Sequence, residues 1–186
     1  LYDFYIRKAN GFIPILSKKG IEEFLHAPND CDINSFHEIQ KSKIYIIHPE
    51  SPNFPMSKFA SIRKLGITPV FLAKGAIGLL NSNGYAVVGS RKVSDKGKSI
   101  AQKVSRELAI LGYNVISGGA KGVDHISHIS ALNAEGTTTI VIPEGLLQYK
   151  LPSDISSKLL NSDCLIVSQF RAKEKWSSGN AMRRNK

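Results

Sequence analysis

Apolar and polar positions follow two different patterns along this chain. Short apolar runs rich in β-branched and aromatic residues, as at 44–47 and 68–73, predict buried strands. From residue 85 onward, such runs alternate with amphipathic stretches. The runs lie at 85–88, 114–116, 138–142 and 164–167, and the amphipathic stretches lie at 95–111, 124–134 and 153–160. A regular alternation of strand and helix predicts an α/β fold.

The predicted strands are apolar at consecutive positions, which indicates that both of their faces are covered. The pattern predicts a Rossmann-like domain over residues 44–186, with a mostly parallel sheet and helices on both faces. Residues 1–43 are predicted to form a small N-terminal helical extension with helices at 20–25 and 34–39, and a further short helix is predicted at 57–65. Because the chain starts without Met and stops inside a basic cluster, we expect a piece of a longer protein.

A formal net charge of +10 on 186 residues favours a polyanionic partner, because Lys and Arg that neutralise phosphates release counterions. A solvated basic surface is the alternative. The positions of the charges favour the first interpretation, since they crowd into one strand-to-helix segment and into the end of the chain. These residues are Arg91, Lys92, Lys96, Lys98, Lys103 and Arg106, and then Arg171, Lys173, Lys175, Arg183, Arg184 and Lys186.

Several classes of protein and site are not expected. The sequence has no apolar run of about 18 residues and no signal-peptide pattern, so a cytoplasmic protein without a membrane segment is predicted. Cys31 and Cys164 lie far apart and are predicted to be reduced thiols. His125 and His128 have no third ligand at metal spacing, so His128 is expected to pack or hydrogen-bond within the fold. No metal, cofactor or catalytic residue is predicted.

A glycine-containing loop follows the strand predicted at 85–88. Gly89 lets the backbone approach a bound group, and the amides at the start of a helix attract anions. Ser90 and Ser94 offer hydroxyl groups, while the planar fork of Arg91 suits two phosphate oxygens. These residues fit a phosphate site and fit a structural helix cap equally well, so this loop alone leaves both interpretations open.

A second glycine-rich loop follows the next predicted strand and contains Gly118, Gly119, Lys121 and Gly122. It is not a Walker A loop, because no Ser or Thr follows the lysine, and neither loop has the dinucleotide-binding glycine pattern. Asp124 is expected to cap the helix that follows. Ligands of parallel sheets bind at the carboxyl ends of the strands. The two loops are therefore predicted to meet at one edge of the sheet and to hold one anion.

The end of the chain combines an aromatic ring, Trp176, with basic side chains. Basic groups along a backbone, with a ring on which a base can stack, are typical of single-strand binding. Burial in the core is nevertheless the favoured prediction for Trp176. Arg183 and Arg184 are predicted to contact a ligand or to satisfy a charge.

These motifs together resemble the DNA-processing protein A family, also called DprA or Smf. The resemblance covers roughly residues 44–186 and rests on segments 86–91, 117–124 with His128, 136–139 with Gly145, and 180–186. It implies a homodimeric Rossmann-like protein that binds single-stranded DNA without sequence preference. It also implies that such a protein protects the DNA and helps to load a RecA-type recombinase during natural transformation.

The resemblance also implies roles for individual residues. Gly89, Ser90 and Arg91 would cradle a backbone phosphate, with Lys121 beside them. The other members of this predicted binding set are Ser94, Gly118, Gly119 and Gly122, and the terminal basic motif of Asn180, Arg183, Arg184 and Lys186.

Three functions stay open on the sequence. The leading hypothesis is a non-enzymatic module that binds single-stranded DNA. The alternative is an enzyme or sensor that binds or hydrolyses a nucleotide, for which the nearest acid is Glu144, in a different loop. The third is a structural or partner-binding role in phage defence or mobile DNA.

Overall fold

A six-stranded mixed sheet organises the chain in the computed structural model, which describes residues 33–59, 70–160 and 163–185. The strands are β1 (Ile44–Ile47), β2 (Phe71–Gly75), β3 (Gly84–Ala86), β4 (Asn114–Gly118), β5 (Thr138–Val141) and β6 (Cys164–Ser168). The helices are α1 (Ile33–Lys41), α2 (Asp95–Ile110), α3 (Val123–Asn133), α4 (Ser153–Leu160) and α5 (Ser178–Arg184), with a 3₁₀ helix at Ile77–Asn81.

The strand order is β1-β2-β6-β5-β4-β3. Strands β3, β4, β5 and β6 are parallel neighbours, whereas β1 pairs antiparallel with β2, and β2 pairs antiparallel with β6. The predicted Rossmann-like α/β class, with a mostly parallel sheet, is confirmed. The carboxyl ends of the four parallel strands share one edge of the sheet, which we call the carboxyl edge.

Helices α2, α3 and α4 pack on one face of the sheet. Leu132 of α3 and Ile155 of α4 join Ile140 and Ile166 in one buried cluster, while Ala109 of α2 packs with Val115 of β4. This placement follows from the strand order, because right-handed crossovers between successive neighbouring strands keep their helices on the same side.

The opposite face carries the 3₁₀ helix. In the described part of the chain it is covered by the 3₁₀ helix and by aromatic rings, rather than by long helices. Leu80 of the 3₁₀ helix packs with Phe54, Phe71 and Leu165, and the ring of Phe59 lies 5.5 Å from that of Phe54. The three aromatic rings bury a large apolar area with little backbone.

Strand β3 is exposed, contrary to the prediction of a strand covered on both faces. All three of its residues are exposed, and Tyr85 stacks edge-on against Tyr113 instead of entering the core. Among the described residues β3 pairs only with β4, so it is an edge strand there.

The remaining predictions on local structure have different outcomes. The predicted helix at 34–39 is confirmed as α1, and Ile39 packs against the core, but the proposed division of domains at residue 43 stays a prediction. The helix predicted at 20–25 lies outside the described residues, as does most of that predicted at 57–65. Cys164 is a free, buried thiol, and burial raises its pKa to about 12, whereas Cys31 is not among the described residues. No described helix is long and apolar enough to cross a membrane.

Candidate nucleic-acid interface

The two glycine-containing loops touch each other at the carboxyl edge. The backbone NH of Val123 donates to the carbonyl oxygen of Ser90 at 3.1 Å. Gly122 has a φ of +86°, and a Cβ there would collide with the Ser90 carbonyl and lie 2.7 Å from the Cα of Arg91. A Cβ on Gly89 would lie 2.7 Å from a methyl group of Val123. The predicted meeting of the two loops is therefore confirmed, and glycine is what allows it.

The two serines of the first loop shape the backbone. Ser94 is the N-cap of α2, and its Oγ accepts a hydrogen bond from the NH of Gly97 at 3.2 Å. The Oγ of Ser90 accepts from the NH of Lys92 at 3.1 Å and donates to the Lys92 carbonyl at 2.7 Å. The structural and the phosphate-binding interpretations of this loop are compatible, because these bonds leave the side chain of Arg91 exposed.

A buried histidine contacts the backbone at the start of the second loop. The Nε2 of His128 lies 2.9 Å from the carbonyl oxygen of Gly118, and its Nδ1 lies 2.6 Å from the Oγ1 of Thr138. Thr138 in turn donates to the carbonyl of Val115 at 2.6 Å. Burial is the main reason that the pKa of His128 is lowered. The expectation that His128 hydrogen-bonds within the fold near the loop is confirmed.

Helix α3 does not use Asp124 as its cap, so that expectation is wrong. The helix begins at Val123, one residue earlier than predicted, and its N-cap is Gly122, which makes no side-chain capping bond. Asp124 is buried in the first turn. A Cβ on Gly118 would lie 2.5 Å from its Oδ2 and 2.7 Å from the Nη1 of Arg184, so the absence of a side chain at Gly118 gives both groups room.

A pocket of about 340 Å³ opens where the two loops meet. Its walls come from both glycine-containing loops, from the loop after β5 and from the end of the chain. The lining residues are Arg91, Gly119, Ala120, Lys121, Pro143, Glu144, Tyr149, Trp176, Ala181 and Arg184.

Positive charge dominates this pocket. Arg91, Lys121 and Arg184 supply three cations against the single carboxylate of Glu144. Arg184 is held in place, since its Nη1 donates to the carbonyl of Val141 at 3.1 Å. Within the described ranges, neither Arg91 nor Lys121 has an acidic partner, and no backbone hydrogen bond occupies the NH groups of Gly119, Ala120 or Lys121. These cations and amides are available to an anion.

Trp176 lines the pocket instead of lying in the core, so its predicted burial is wrong. Its side chain is 49% exposed. The residue follows the last strand in an irregular stretch, before α5 begins at Ser178. An aromatic ring beside three cations is a surface on which a base can stack.

Part of the terminal basic motif lies away from the pocket lining. Asn180 is buried, and its amide donates to the Oε1 of Glu174 at 2.8 Å. Arg183 also donates to Asn180, lies 3.5 Å from Glu174, and has its guanidinium 5.4 Å from the ring centroid of Phe170. Arg183 thus satisfies a charge within the fold, which was one of the two roles predicted for it. Lys186 is outside the described residues.

Glu144 and Tyr149 are among the pocket residues that were not in the predicted binding set. Burial raises the pKa of the Glu144 carboxyl group, and it raises that of Tyr149 to about 12, with smaller contributions from Cys164, Glu144 and Asp124. The signal available in the sequence was their position, because both follow β5 and this loop ends at the carboxyl edge. The residue types in this loop do not form a recognisable binding motif.

No group of three or more potential metal ligands occurs among the His, Cys, Asp and Glu side chains of the described residues. His125 lies 3.0 Å from the carboxylate of Asp154 on the next helix, so it takes part in a contact between α3 and α4.

Known proteins similar to this chain share both its sequence pattern and its fold. The Smf protein of Synechocystis is 27% identical over 184 residues, which is 96% of this chain and 46% of that protein. The DNA processing protein DprA of Streptococcus pneumoniae is 36% identical over 108 residues, which is 55% of this chain and 36% of that protein. The chain spans less than half the length of these relatives.

Solved structures give the same result for the fold. The X-ray structure of DprA from Streptococcus pneumoniae superposes with a TM-score of 0.63 at 26% identity, over 81% of this chain and 53% of that one. The DNA processing protein A of Helicobacter pylori gives 0.58 at 24% identity, over 77% and 63%. The model of the DNA recombination-mediator protein A family matches residues 45–186. The chain therefore belongs to the DNA recombination-mediator protein A family, as its glycine loops and terminal motif predicted.

Proposed function

We propose that this chain binds single-stranded DNA in the cytoplasm, through its phosphates and without requiring a particular sequence. The pocket at the carboxyl edge takes one backbone phosphate, and the strand continues over the basic surface around it. Membership in a DNA-processing family supports a nucleic-acid partner. The DNA processing protein A of Helicobacter pylori, whose likeness here concerns the fold alone, binds single-stranded DNA.

The observation that carries the proposal is a pair of cations, at the meeting point of the loops, for which the described residues supply no acidic partner. Arg91 and Lys121 come from different loops and line the same pocket, beside the amides of Gly119, Ala120 and Lys121, which no backbone hydrogen bond among the described residues occupies. A cation that has an acidic partner must first lose it to bind phosphate, whereas these two need not. The arrangement therefore favours a phosphate over a neutral ligand.

The exposed ring of Trp176 favours a single strand over a duplex. In a duplex each base is already stacked and paired, so a protein ring gains contact only by disrupting it. In a single strand a base can stack on the ring at little cost, and such stacking tolerates every base. The combination of a ring and free cations is what single-strand binding uses.

A fluorescence-anisotropy titration tests the proposal. An oligothymidine strand, the matching duplex and a thymidine mononucleotide are each titrated at two salt concentrations. We expect tight binding of the strand, weaker binding of the other two, and a marked loss of affinity at the higher salt concentration. Preference for the duplex, or binding that salt does not weaken, would contradict the proposal.

A second candidate is hydrolysis of a mononucleotide, which the position of Glu144 favours. Although Glu144 lies in another loop, it lines the same pocket as Arg91 and Lys121, so one small ligand there would meet both a carboxylate and cations. Incubation with nucleoside monophosphates, followed by chromatography for the released base, tests this function. Release that Glu144→Gln abolishes would establish it, and absence of release would remove it.

Protection of the strand, loading of a RecA-type recombinase and formation of a homodimer are further parts of the proposal. They rest on the family resemblance. Nuclease digestion of the bound strand, a pull-down with a purified recombinase and light scattering of the free chain test them separately.

A further inference from the structure

The phosphate-binding pocket contains one group that a phosphate site does not need. Glu144 places a carboxylate in a pocket otherwise lined by cations and by uncharged residues. A negative charge there repels phosphate and lowers the affinity that Arg91, Lys121 and Arg184 provide. The carboxylate therefore favours a ligand that offers it something other than phosphate.

Glu144 has no cationic partner among the described residues, although Arg91, Lys121 and Arg184 line the same pocket. In the described ranges, no Lys or Arg nitrogen lies within ion-pairing distance of its carboxylate. Its backbone is fixed by two hydrogen bonds. The Glu144 carbonyl oxygen accepts from the Oγ of Ser168 at 2.6 Å, and the NH of Gly145 donates to the backbone carbonyl oxygen of Glu174. A partly buried carboxylate in this position is stabilised by a hydrogen-bond donor on a ligand.

The neighbours of Glu144 indicate what kind of ligand carries that donor. Tyr149 lines the same pocket as Glu144, and the Tyr149 hydroxyl lies 3.2 Å from where a Cβ on Gly119 would be. Trp176 adds a second aromatic ring to the lining. Pockets that take small flat ligands combine such rings with a few polar groups, and about 340 Å³ lies within their usual range of roughly 300–1,000 Å³.

We propose that one unstacked base of the bound strand enters this pocket beside Trp176 and Tyr149, and that the Glu144 carboxylate accepts a hydrogen bond from its exocyclic amino group. The inference rests on the proposed single-strand binding. Cytosine, adenine and guanine carry such an amino group, whereas thymine and uracil present a carbonyl oxygen instead. The strand is thus held by its phosphates whatever its sequence, but one position in it prefers a base with an amino group.

The test compares oligodeoxycytidine with oligodeoxyuridine of equal length, because these bases differ at the position that Glu144 reads and both lack the thymine methyl group. We expect the unmodified chain to bind the cytidine strand at least about fivefold more tightly. Glu144→Gln brings the two strands to within about twofold, because an amide can donate to the uracil carbonyl as well as accept. The matched control is Glu107→Gln on the exposed side of α2, which changes the net charge equally and keeps the preference.

Each other outcome has a definite meaning. Equal, tight and salt-sensitive binding of both strands by the unmodified chain overturns the base-reading role of Glu144 and leaves the proposed function standing. Failure to bind either strand overturns the proposed function itself. Equal preference for ribocytidine and ribouridine strands over their deoxy counterparts places Glu144 on a ribose hydroxyl group, which also overturns the inference.

Discussion

Replacement of Gly122 by alanine tests whether the contact between the two loops holds the site together. This residue has a φ of +86° and a ψ of −133°, a conformation that L-residues rarely adopt and that costs about 1–3 kcal/mol. The new Cβ would also lie 2.7 Å from the Cα and carbonyl oxygen of Arg91, and overpacking of this kind costs about 1–3 kcal/mol more. We expect Gly122→Ala to lower the free energy of unfolding by about 2–6 kcal/mol.

Two other glycines separate the two causes. Gly112 has a φ of +79° but nothing within 4 Å of an added Cβ, so Gly112→Ala carries only the conformational cost. Gly78 has neither a positive φ nor a neighbour within 4 Å, so Gly78→Ala should change stability by no more than about 0.5 kcal/mol. The order of destabilisation is therefore Gly122→Ala, then Gly112→Ala, then Gly78→Ala.

Thermal unfolding followed by circular dichroism measures this order. For a chain of this size, each kcal/mol corresponds to about 2–4 °C in Tm, so Gly122→Ala should melt at least about 4 °C below the unmodified chain. A Gly122→Ala variant that melts together with Gly112→Ala would refute the close approach of the two loops, because only that approach distinguishes these sites.

The remaining predictions concern the pocket and the histidine beneath it. Arg91→Ala and Lys121→Ala should each weaken binding of all single strands about equally and reduce the salt slope by about one. The control, Lys98→Ala, changes an exposed position of α2 away from the pocket and should have a smaller effect. Anisotropy titrations across salt concentrations measure these effects, and a changed base preference with an intact salt slope would contradict the prediction. Trp176→Ala should cost about 1–3 kcal/mol of single-strand affinity and leave Tm nearly unchanged, since the ring is half exposed; a large fall in Tm would assign it to the core instead. Because the pKa of His128 is lowered in the folded chain, the unfolded chain takes up a proton first, near the ordinary histidine pKa of 6.5, and stability falls as pH drops through that value. His128→Asn should flatten this pH dependence of stability in denaturant titrations at several pH values. An unchanged dependence would count against the role of His128.

Much of the fold could be predicted from local pattern. Consecutive apolar residues marked β5 and β6, and amphipathic spacing marked α2, because these signals depend only on neighbours within a few residues. The rule that ligands bind at the carboxyl ends of parallel strands then located the site, since it applies wherever such strands exist. The role of His128 in the fold could also be predicted, because the sequence places no third metal ligand near His125 and His128.

The sequence alone therefore determined the class of fold, the two glycine-containing loops and the edge of the sheet at which they meet. Only the tertiary structure decided which side chains share the pocket and which are used elsewhere. Trp176, Glu144 and Tyr149 line the pocket together, while Arg183 contacts Phe170 and Glu174. The reason is that element type is encoded over a few residues, whereas the exposure of a side chain depends on segments far away in the chain that pack beside it.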